Sequence, residues 1–278
     1  MRPRIEADPA PLPGAFDAHT HTWSTPEFDE DYDATMARAW AAGLVGIVEV
    51  GVDTASSEQC LDLARRDARV HAVVGLHPEY ADRLAKEREG IARAASNGAV
   101  AIGEIGLDFS RPAPAPAQQA EAFRWQLDLA RARELPVVIH ARDADEECFA
   151  ILDEWARRVG RYLGAGREIG MMHCYAGDAA LAARYLDIGF LISVPGTVTF
   201  PNNPQGQEVA RAVPLAGMLI ETDSPYLTPA PHRGRRNEPA YVVETARFVA
   251  NLKGVSPEEV ARTTAQNAAR FFNLGTLG

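Results

Sequence analysis

The chain has 278 residues, of which 46% are hydrophobic and 24% charged, and its formal net charge is −10. A chain of this length can bury a full core without disulfides or structural metals. The acidity argues against broad, sequence-independent binding to nucleic acid, which normally needs a basic face. It does not exclude a nucleic-acid enzyme that contacts phosphate through bound metals and a few arginines. No apolar run reaches the roughly 18 residues of a transmembrane helix, so no membrane association is expected.

Residues 1–14 contain proline and acidic residues where a signal peptide would need an apolar stretch. We expect them to form a loose tail before the first strand. Three cysteines without a CxxC spacing indicate neither a disulfide framework nor a thiolate zinc site, and a reducing cytoplasm fits them best. The oligomeric state stays open, with a monomer among the options.

Short apolar runs alternate with longer amphipathic ones, which is typical of β-α units around a parallel sheet. Most of the runs are rich in Val, Ile and Leu, as expected of strands covered on both faces. Eight strands with helices between them favour an α/β fold, a single (β/α)₈ TIM barrel over residues 1–278, rather than an open sheet. The predicted strands are 15–21, 44–51, 70–76, 99–107, 136–141, 168–174, 189–194 and 218–223.

Helices are predicted between the strands and after the last one. Ser56 and Ser256 are expected to cap two of them. The Pro/Ala-rich segment 110–117 and the Pro/Arg-rich segment 224–239 are predicted loops rather than linkers, because periodic patterns resume on both sides. The predicted helices are 56–68, 115–134, 178–189, 237–254 and 256–273.

Most of the histidines follow the strand pattern. Of the seven, five lie at or just past the C-terminal end of a predicted strand, and Glu104 and Asp223 lie near the ends of the fourth and eighth strands. In a barrel these ends converge on one rim, where barrel enzymes place their active sites. The five are His19, His21, His77, His140 and His173.

The first strand contains the segment FDAHTH. Side chains alternate along a strand, so Asp17, His19 and His21 are predicted to project to the same side. Two imidazoles at this spacing could bind one cation, although an isolated HxH without a metal is also common. We expect Asp17 to orient an imidazole through its ring N–H rather than to bind a metal directly.

Glu104 lies inside an apolar strand, where burying an unpaired carboxylate lowers the stability of the fold by several kcal/mol. It therefore needs a cationic partner, and its own strand contains none. The neighbouring Asp108 is predicted to be exposed in a loop and to be a less suitable ligand. On the last strand Glu221 and Asp223 point the same way, with Asp223 nearer the rim and Glu221 deeper, as an orienting or ion-pair group.

His140 and His173 each end an apolar run, and a single such histidine is more often a core residue. Here two such histidines lie on adjacent strands, next to the strand of Glu104 and across the barrel from the strand of the HxH motif. This arrangement favours a metal site instead. Cys174 is predicted to point to the opposite face of its strand from His173. The sequence contains no GxSxG, Walker A or GxGxxG pattern, which argues against a serine nucleophile and a nucleotide cofactor.

Together the motifs resemble those of the TatD-related deoxyribonucleases, a branch of the amidohydrolase superfamily. The resemblance extends from about Phe16 to Asn273, with Ala176 where a serine is usual and an unusually Pro/Ala-rich segment after Asp108. The motifs that carry it are DAHTH, GLHP, GEIGLDF, VVIHAR, MMHCYAG and ETDSPYLTP with HRGRRNEP.

The resemblance implies a (β/α)₈ barrel with two divalent metal ions that hydrolyses phosphodiester bonds, often as a 3′→5′ exonuclease on DNA. It implies that Glu104 bridges the metals, that His77 lies near the scissile phosphate and that Arg233 faces the substrate. One metal would be bound by His19, His21 and Asp223, and the other by His140 and His173.

On this hypothesis the metals activate a water, and Asp223 accepts its proton, so that Asp223 and Glu104 are the catalytic carboxylates. Mg, Mn, Zn or Ni would suit the ligands. The expected substrate is DNA, single-stranded or at 3′ ends. The alternatives are hydrolysis of an amide, ester or lactone, deacylation of D-aminoacyl-tRNA, or a non-catalytic binding role, which predicts lost ligands.

Overall fold

Eight parallel strands follow one another around a barrel in the computed structural model, which describes residues 8–23, 28 and 31–275. Each strand is hydrogen-bonded to the next in chain order, from β1 to β8. The strands are β1 (Ala15–Thr20), β2 (Leu44–Val50), β3 (Val70–Val74), β4 (Ala101–Asp108), β5 (Val137–Arg142), β6 (Gly170–Met172), β7 (Phe190–Val194) and β8 (Met218–Ile220).

The ring closes between β1 and the residues that follow β8. Thr20 and Ser224 form a parallel bridge, the Asp223 N–H donates to the His19 carbonyl oxygen at 3.0 Å, and the His21 N–H donates to the Ser224 carbonyl oxygen at 2.8 Å. The predicted (β/α)₈ barrel is confirmed. These closing bonds also join the two chain segments that contain His19, His21 and Asp223.

Helices cover the outside of the barrel. The helix over 54–66 begins two residues earlier than predicted, because Asp53 and not Ser56 caps it: the Asp53 carboxylate accepts from the Ser56 N–H at 2.9 Å. Ser256 caps the last helix as predicted. The described residues form α1 (Tyr32–Ala41), α2 (Thr54–Arg66), α3 (Leu84–Ala94), α4 (Pro116–Arg133), α5 (Asp145–Val159), α6 (Ala179–Asp187), α7 (Pro204–Ala212), α8 (Val242–Lys253) and α9 (Pro257–Phe272), with short 3₁₀ helices at Pro78–Arg83, Gly196–Thr199, Leu215–Gly217 and Pro239–Tyr241.

The interior of the barrel is a separate apolar layer that α9 closes at one end. Phe271 and Phe272 of α9 belong to this layer. Asn267 of α9 donates to the carbonyl oxygens of Leu215 and Met218 at 2.7 and 2.8 Å, which places the helix at the N-terminal end of β8. The opposite, C-terminal opening is the one that carries the predicted site. The strand residues of the interior layer include Phe16, Val48, Val50, Val73, Val138, Met171, Leu191 and Leu219.

Part of the segment predicted as a loose tail is packed against the barrel. Leu12 is buried and its N–H donates to the Ala42 carbonyl oxygen at 2.8 Å, while Arg247 donates to the Ala10 carbonyl oxygen at 2.7 Å. The rest of the prediction, residues 1–7, lies outside the described residues. Among the described helices none has both the length and the apolar character needed to cross a bilayer.

The chain just before His77 is fixed by a buried glutamine. Gln126 of α4 accepts from the Leu76 N–H at 2.7 Å and donates to the Leu76 carbonyl oxygen at 3.0 Å. Both backbone groups are thereby paired away from water, and the residue that leads into His77 cannot shift without breaking two hydrogen bonds.

Gln126→Leu is therefore expected to lower the free energy of unfolding by about 2 kcal/mol or more, since it leaves two buried backbone groups unpaired. Urea unfolding followed by circular dichroism measures the loss. Glu121→Leu, on the exposed side of the same helix, is the control and should change stability by less than about 0.5 kcal/mol. Equal effects of the two substitutions would contradict this account of Gln126.

Candidate metal centre

Glu104 lies at the centre of the imidazole cluster and is only 3% exposed. Its Oε2 atom lies 3.5 Å from Nε2 of both His19 and His21. The two ring nitrogens are themselves 3.1 Å apart. One carboxylate oxygen and two imidazoles of β1 and its C-terminal end thus converge on a single point, as the HxH spacing predicts.

The other oxygen of Glu104, Oε1, faces a different set of rings. It lies 2.7 Å from Nδ1 of His140, 3.6 Å from Nε2 of His173 and 3.7 Å from Nε2 of His77. The five histidines predicted to share the rim therefore all lie within 4 Å of one carboxylate, divided between its two oxygens.

Asp223 joins the cluster from the end of β8. Its Oδ1 atom lies 3.6 Å from Nε2 of His21 and 3.8 Å from Nε2 of His173. The residue has a left-handed backbone with φ of 57°, and the backbone bond to His19 fixes it against β1. Asp223 therefore lies beside rings from both sets.

Charge in the cluster is balanced by imidazoles alone. In the described part of the chain, no lysine or arginine forms an ion pair with Glu104, Glu221 or Asp223. Burial alone would raise the pKa of Glu104, but the charge of His173 and the hydrogen bond with His140 outweigh burial and hold that pKa well below its ordinary value. Burial raises the pKa of Asp223 to about 6, against the opposing effect of the nearby histidines.

The histidines differ sharply in their affinity for protons. Burial lowers the pKa of His140, but its contacts with Asp108 and Glu104 outweigh burial and raise that pKa to about 9. For His173 the carboxylates of Glu221 and Glu104 likewise outweigh burial and raise the pKa to about 10. Burial lowers the pKa of His19 and of His77 to about 3. Two rings are thus cationic at neutral pH and two are neutral.

The ring of His21 is held in an orientation that suits a cation. Its Nδ1 atom lies 2.8 Å from the Val50 carbonyl oxygen, which can only accept, so Nδ1 carries the hydrogen. In the neutral ring Nε2 then has a free lone pair, directed toward Nε2 of His19 and toward Glu104. Imidazole oriented through its second nitrogen is the usual arrangement of a histidine metal ligand. The donor set fits divalent cations.

Glu221 lies behind His173, as its deeper position on the strand predicts. Its Oε1 atom is 2.9 Å from Nδ1 of His173 and accepts from the Cys174 N–H at 2.6 Å. Its other oxygen accepts from the Ser193 hydroxyl group. A carboxylate at Nδ1 directs Nε2 of the same ring toward Glu104.

Asp17 has a different partner from the one predicted. It accepts from the Thr222 N–H at 2.9 Å and from the Thr222 hydroxyl at 2.5 Å, and among the residues that the structure describes no imidazole ring N–H donates to it. Nδ1 of His19 is buried without a hydrogen-bond partner. Asp17 therefore ties β1 to the residue before Asp223, so that it positions the backbone rather than a ring.

Asp108 was predicted to be exposed, and that prediction is wrong. The residue is 4% exposed, because β4 extends to it and the side chain of Gln119 pairs with both its N–H and its carbonyl oxygen at 2.8 Å. Its carboxylate lies 3.1 Å from Nε2 of His140. Asp108 is thus a direct partner of a candidate ligand.

The predicted direction of Cys174 is also wrong. β6 ends at Met172, and Cys174 has a left-handed φ of 44°, so strand alternation no longer applies to it. A ligand atom of Cys174 lies within 4.8 Å of those of His173 and Asp223. Burial raises the pKa of the thiol well above its ordinary value, so the group is a neutral neighbour of the cluster.

Glu49 is a buried carboxylate that the sequence analysis missed. It accepts from the Thr22 N–H at 3.0 Å and from the Thr22 hydroxyl group, and burial raises its pKa to about 7. The signal was available, since Glu49 interrupts the apolar run LVGIVEVG just as Glu104 interrupts its own. Glu49 holds the residue that follows His21.

The two predicted substrate residues are placed differently. His77 lies in the cluster, and its Nδ1 accepts from the Glu79 N–H at 3.2 Å, so the neutral ring carries its hydrogen on Nε2. Arg233 is exposed in the loop after β8, with its guanidinium group 4.1 Å from the centre of the Phe200 ring. Within the described part of the chain, no hydrogen bond or ion pair joins Arg233 to the imidazole cluster.

Comparison with known proteins places this cluster in a family. The TatD related DNase model matches residues 16–273. YabD of Bacillus subtilis (strain 168), described as an uncharacterized metal-dependent hydrolase, is 37% identical over 262 residues, which cover 93% of this chain and 99% of that protein. A 3′-5′ ssDNA/RNA exonuclease TatD from Enterobacter lignolyticus is 35% identical over 258 residues. The match covers 90% of this chain and 96% of that protein.

The structural comparison agrees. The crystal structure of YJJV, a TatD homologue from Escherichia coli K12, superposes with a TM-score of 0.86 at 27% identity and covers 94% of this chain and 99% of that one. The chain belongs to the TatD-related DNase family. It is a TatD-type metal-dependent hydrolase with a candidate metal-binding cluster of histidines and carboxylates.

Metal binding should release protons, because His140 and His173 with pKa values of about 9 and 10 are cationic at neutral pH and only the neutral ring binds a metal. The affinity for Mn²⁺ or Zn²⁺ is expected to rise between about pH 6 and about pH 8, up to tenfold per pH unit for each proton displaced. Calorimetric titration in buffers of different ionisation enthalpy counts the protons. Binding without proton release would contradict these protonation states.

Proposed function

We propose that the chain is a 3′→5′ exonuclease that hydrolyses phosphodiester bonds in single-stranded DNA or at DNA 3′ ends with two divalent cations. One observation carries the proposal: the two oxygens of Glu104 face two separate sets of imidazoles. A carboxylate so placed can bridge two cations, and sites with paired metals are common in nucleases. Relatives named as 3′-5′ ssDNA/RNA exonucleases support the choice of substrate.

Mg, Mn, Zn or Ni would suit this donor set. Glu104 would bind both cations. His19, His21 and Asp223 would hold the first, and His140 and His173 the second. When bound, the cations would supply Lewis acidity that lowers the pKa of a water and offsets charge on the leaving oxygen.

Asp223 is the group we assign to proton transfer. Its carboxylate lies at the rim, next to rings from both sets. A buried carboxylate whose pKa is raised toward neutrality is a better proton acceptor than an exposed one. Glu104 is more deeply enclosed, and its contacts favour the ionised form, so it is suited to holding charge rather than to moving protons.

His77 is suited to donating a hydrogen bond. Because its Nδ1 accepts from a backbone N–H, its Nε2–H is directed into the cluster, where it could donate to a non-bridging phosphate oxygen. Arg233 would contact the nucleic-acid backbone further out, since its guanidinium group is exposed and offers paired donors to phosphate.

Glu104→Gln and Asp223→Asn are each expected to lower exonuclease activity about a thousand-fold or more, because each removes a charged group from the cations. Activity is measured on a labelled single-stranded oligonucleotide with Mg²⁺ or Mn²⁺, and metal content is measured in parallel. Asp82→Asn, at an exposed position, is the matched control and should leave the rate unchanged. If both variants kept more than about a tenth of the activity, the site assignment would be wrong.

The direction of cleavage can be tested separately. With a 5′-labelled oligonucleotide we expect a ladder that shortens one nucleotide at a time from the 3′ end, and we expect a 3′-terminal block to stop it. Immediate release of the labelled 5′ nucleotide, or internal cuts in a circular strand, would refute 3′→5′ exonuclease action. Inertness toward every oligonucleotide, with hydrolysis of an amide, a lactone or an aminoacyl ester, would refute nuclease function itself.

A further inference from the structure

Tyr226 is the one large hydrophobic side chain that is exposed among the described residues, at 57%. A single exposed aromatic residue is ordinary on a protein surface and needs no explanation by itself. What distinguishes Tyr226 is its place in the fold. It lies in the loop after β8, three residues beyond Asp223.

A tight turn connects Tyr226 to the cluster. The Tyr226 N–H donates to the Asp223 carbonyl oxygen at 2.8 Å, so the residue follows the candidate ligand within one hydrogen-bonded turn. Asp223 in turn faces His21 and His173. Tyr226 therefore lies beside a candidate ligand at the C-terminal opening of the barrel.

The turn is anchored from beneath by a buried side chain. Asn237 donates through Nδ2 to the carbonyl oxygens of Tyr226 and Thr222, at 2.5 and 2.8 Å, and its own N–H donates to the Pro225 carbonyl oxygen at 3.1 Å. Three bonds from one residue thus fix both sides of the turn. A ligand that contacts the ring of Tyr226 would not have to order the loop first, which favours binding.

The same loop also presents a cation on an aromatic support. The guanidinium group of Arg233 lies over the ring of Phe200, and the Ala230 N–H donates to the Thr199 hydroxyl at 2.9 Å. These two contacts join the loop after β8 to the loop after β7. The loop after β8 thus carries both an exposed aromatic ring and an exposed guanidinium group. These are the groups that suit single-stranded nucleic acid, whose bases stack and whose backbone is anionic.

We propose that Tyr226 stacks on one of the two nucleobases that flank the scissile phosphodiester, and so positions the nucleotide against Glu104 and Asp223. The inference rests on the proposed nuclease function and adds to it a specific base contact. It makes Tyr226 a substrate-binding residue, whose effect should fall on KM and on the recognition of a base rather than on the chemical step.

The test compares three oligonucleotides that differ at one site: an unmodified strand, one with an abasic residue at the 3′ terminus and one with an abasic residue at the penultimate position. The wild-type protein is expected to degrade one abasic strand with a kcat/KM at least about five-fold below the unmodified strand, mainly through KM, as loss of one stacked base implies. Tyr226→Leu should remove that difference, whereas Tyr226→Phe, which keeps the ring, should retain it.

Arg133→Leu, a change at an exposed position near the C-terminal end of α4, is the distant control and should behave like the wild type. If Tyr226→Leu discriminates between the strands as the wild type does, or if the wild type treats all three alike, the stacking role is overturned while the nuclease function stands. If the wild-type protein degrades none of the three, the nuclease function fails and this inference fails with it.

Discussion

A single buried carboxylate determines how the open end of this barrel is organised. Glu104 lies in an apolar strand where an uncompensated charge would be strongly unfavourable, and rings from four other strand ends surround it. None of the described lysines or arginines forms an ion pair with it. Because the compensation comes from imidazoles, which exist in cationic and neutral forms, protons and divalent metals can replace one another in the same space.

The surrounding fold acts mainly by fixing ring orientation. A backbone carbonyl group of β2 holds one nitrogen of His21, and the carboxylates of Glu221 and Asp108 hold His173 and His140. Asp17 and Asn237 fix the chain on either side of Asp223. Each of these contacts comes from a neighbouring strand end or from the loop after β8, so the precision of the cluster depends on barrel closure and not on any one motif.

Much of this could be predicted from the sequence. The apolar runs predicted the strands to within a few residues, because a strand buried on both faces has a strong compositional signal. The histidines at the strand ends predicted the cluster. The errors at Asp108 and Cys174 arose where a strand ended later or earlier than expected. β4 reaches Asp108 and buries it, whereas β6 stops before Cys174 and releases that residue from strand alternation. Neither endpoint can be read from the strand's own residues, because Gln119 of α4 binds the backbone of Asp108 and Glu221 binds the N–H of Cys174.

Because α9 closes the N-terminal end of the barrel, it limits how substrate and product can enter and leave. Phe271 and Phe272 fill the interior from the end opposite to Glu104, so the barrel is open at one end only. Whatever reaches the cluster has to leave through the opening by which it came. Departing product and incoming reactant therefore compete for the same volume, and exchange between them depends on the loops that border a single entrance.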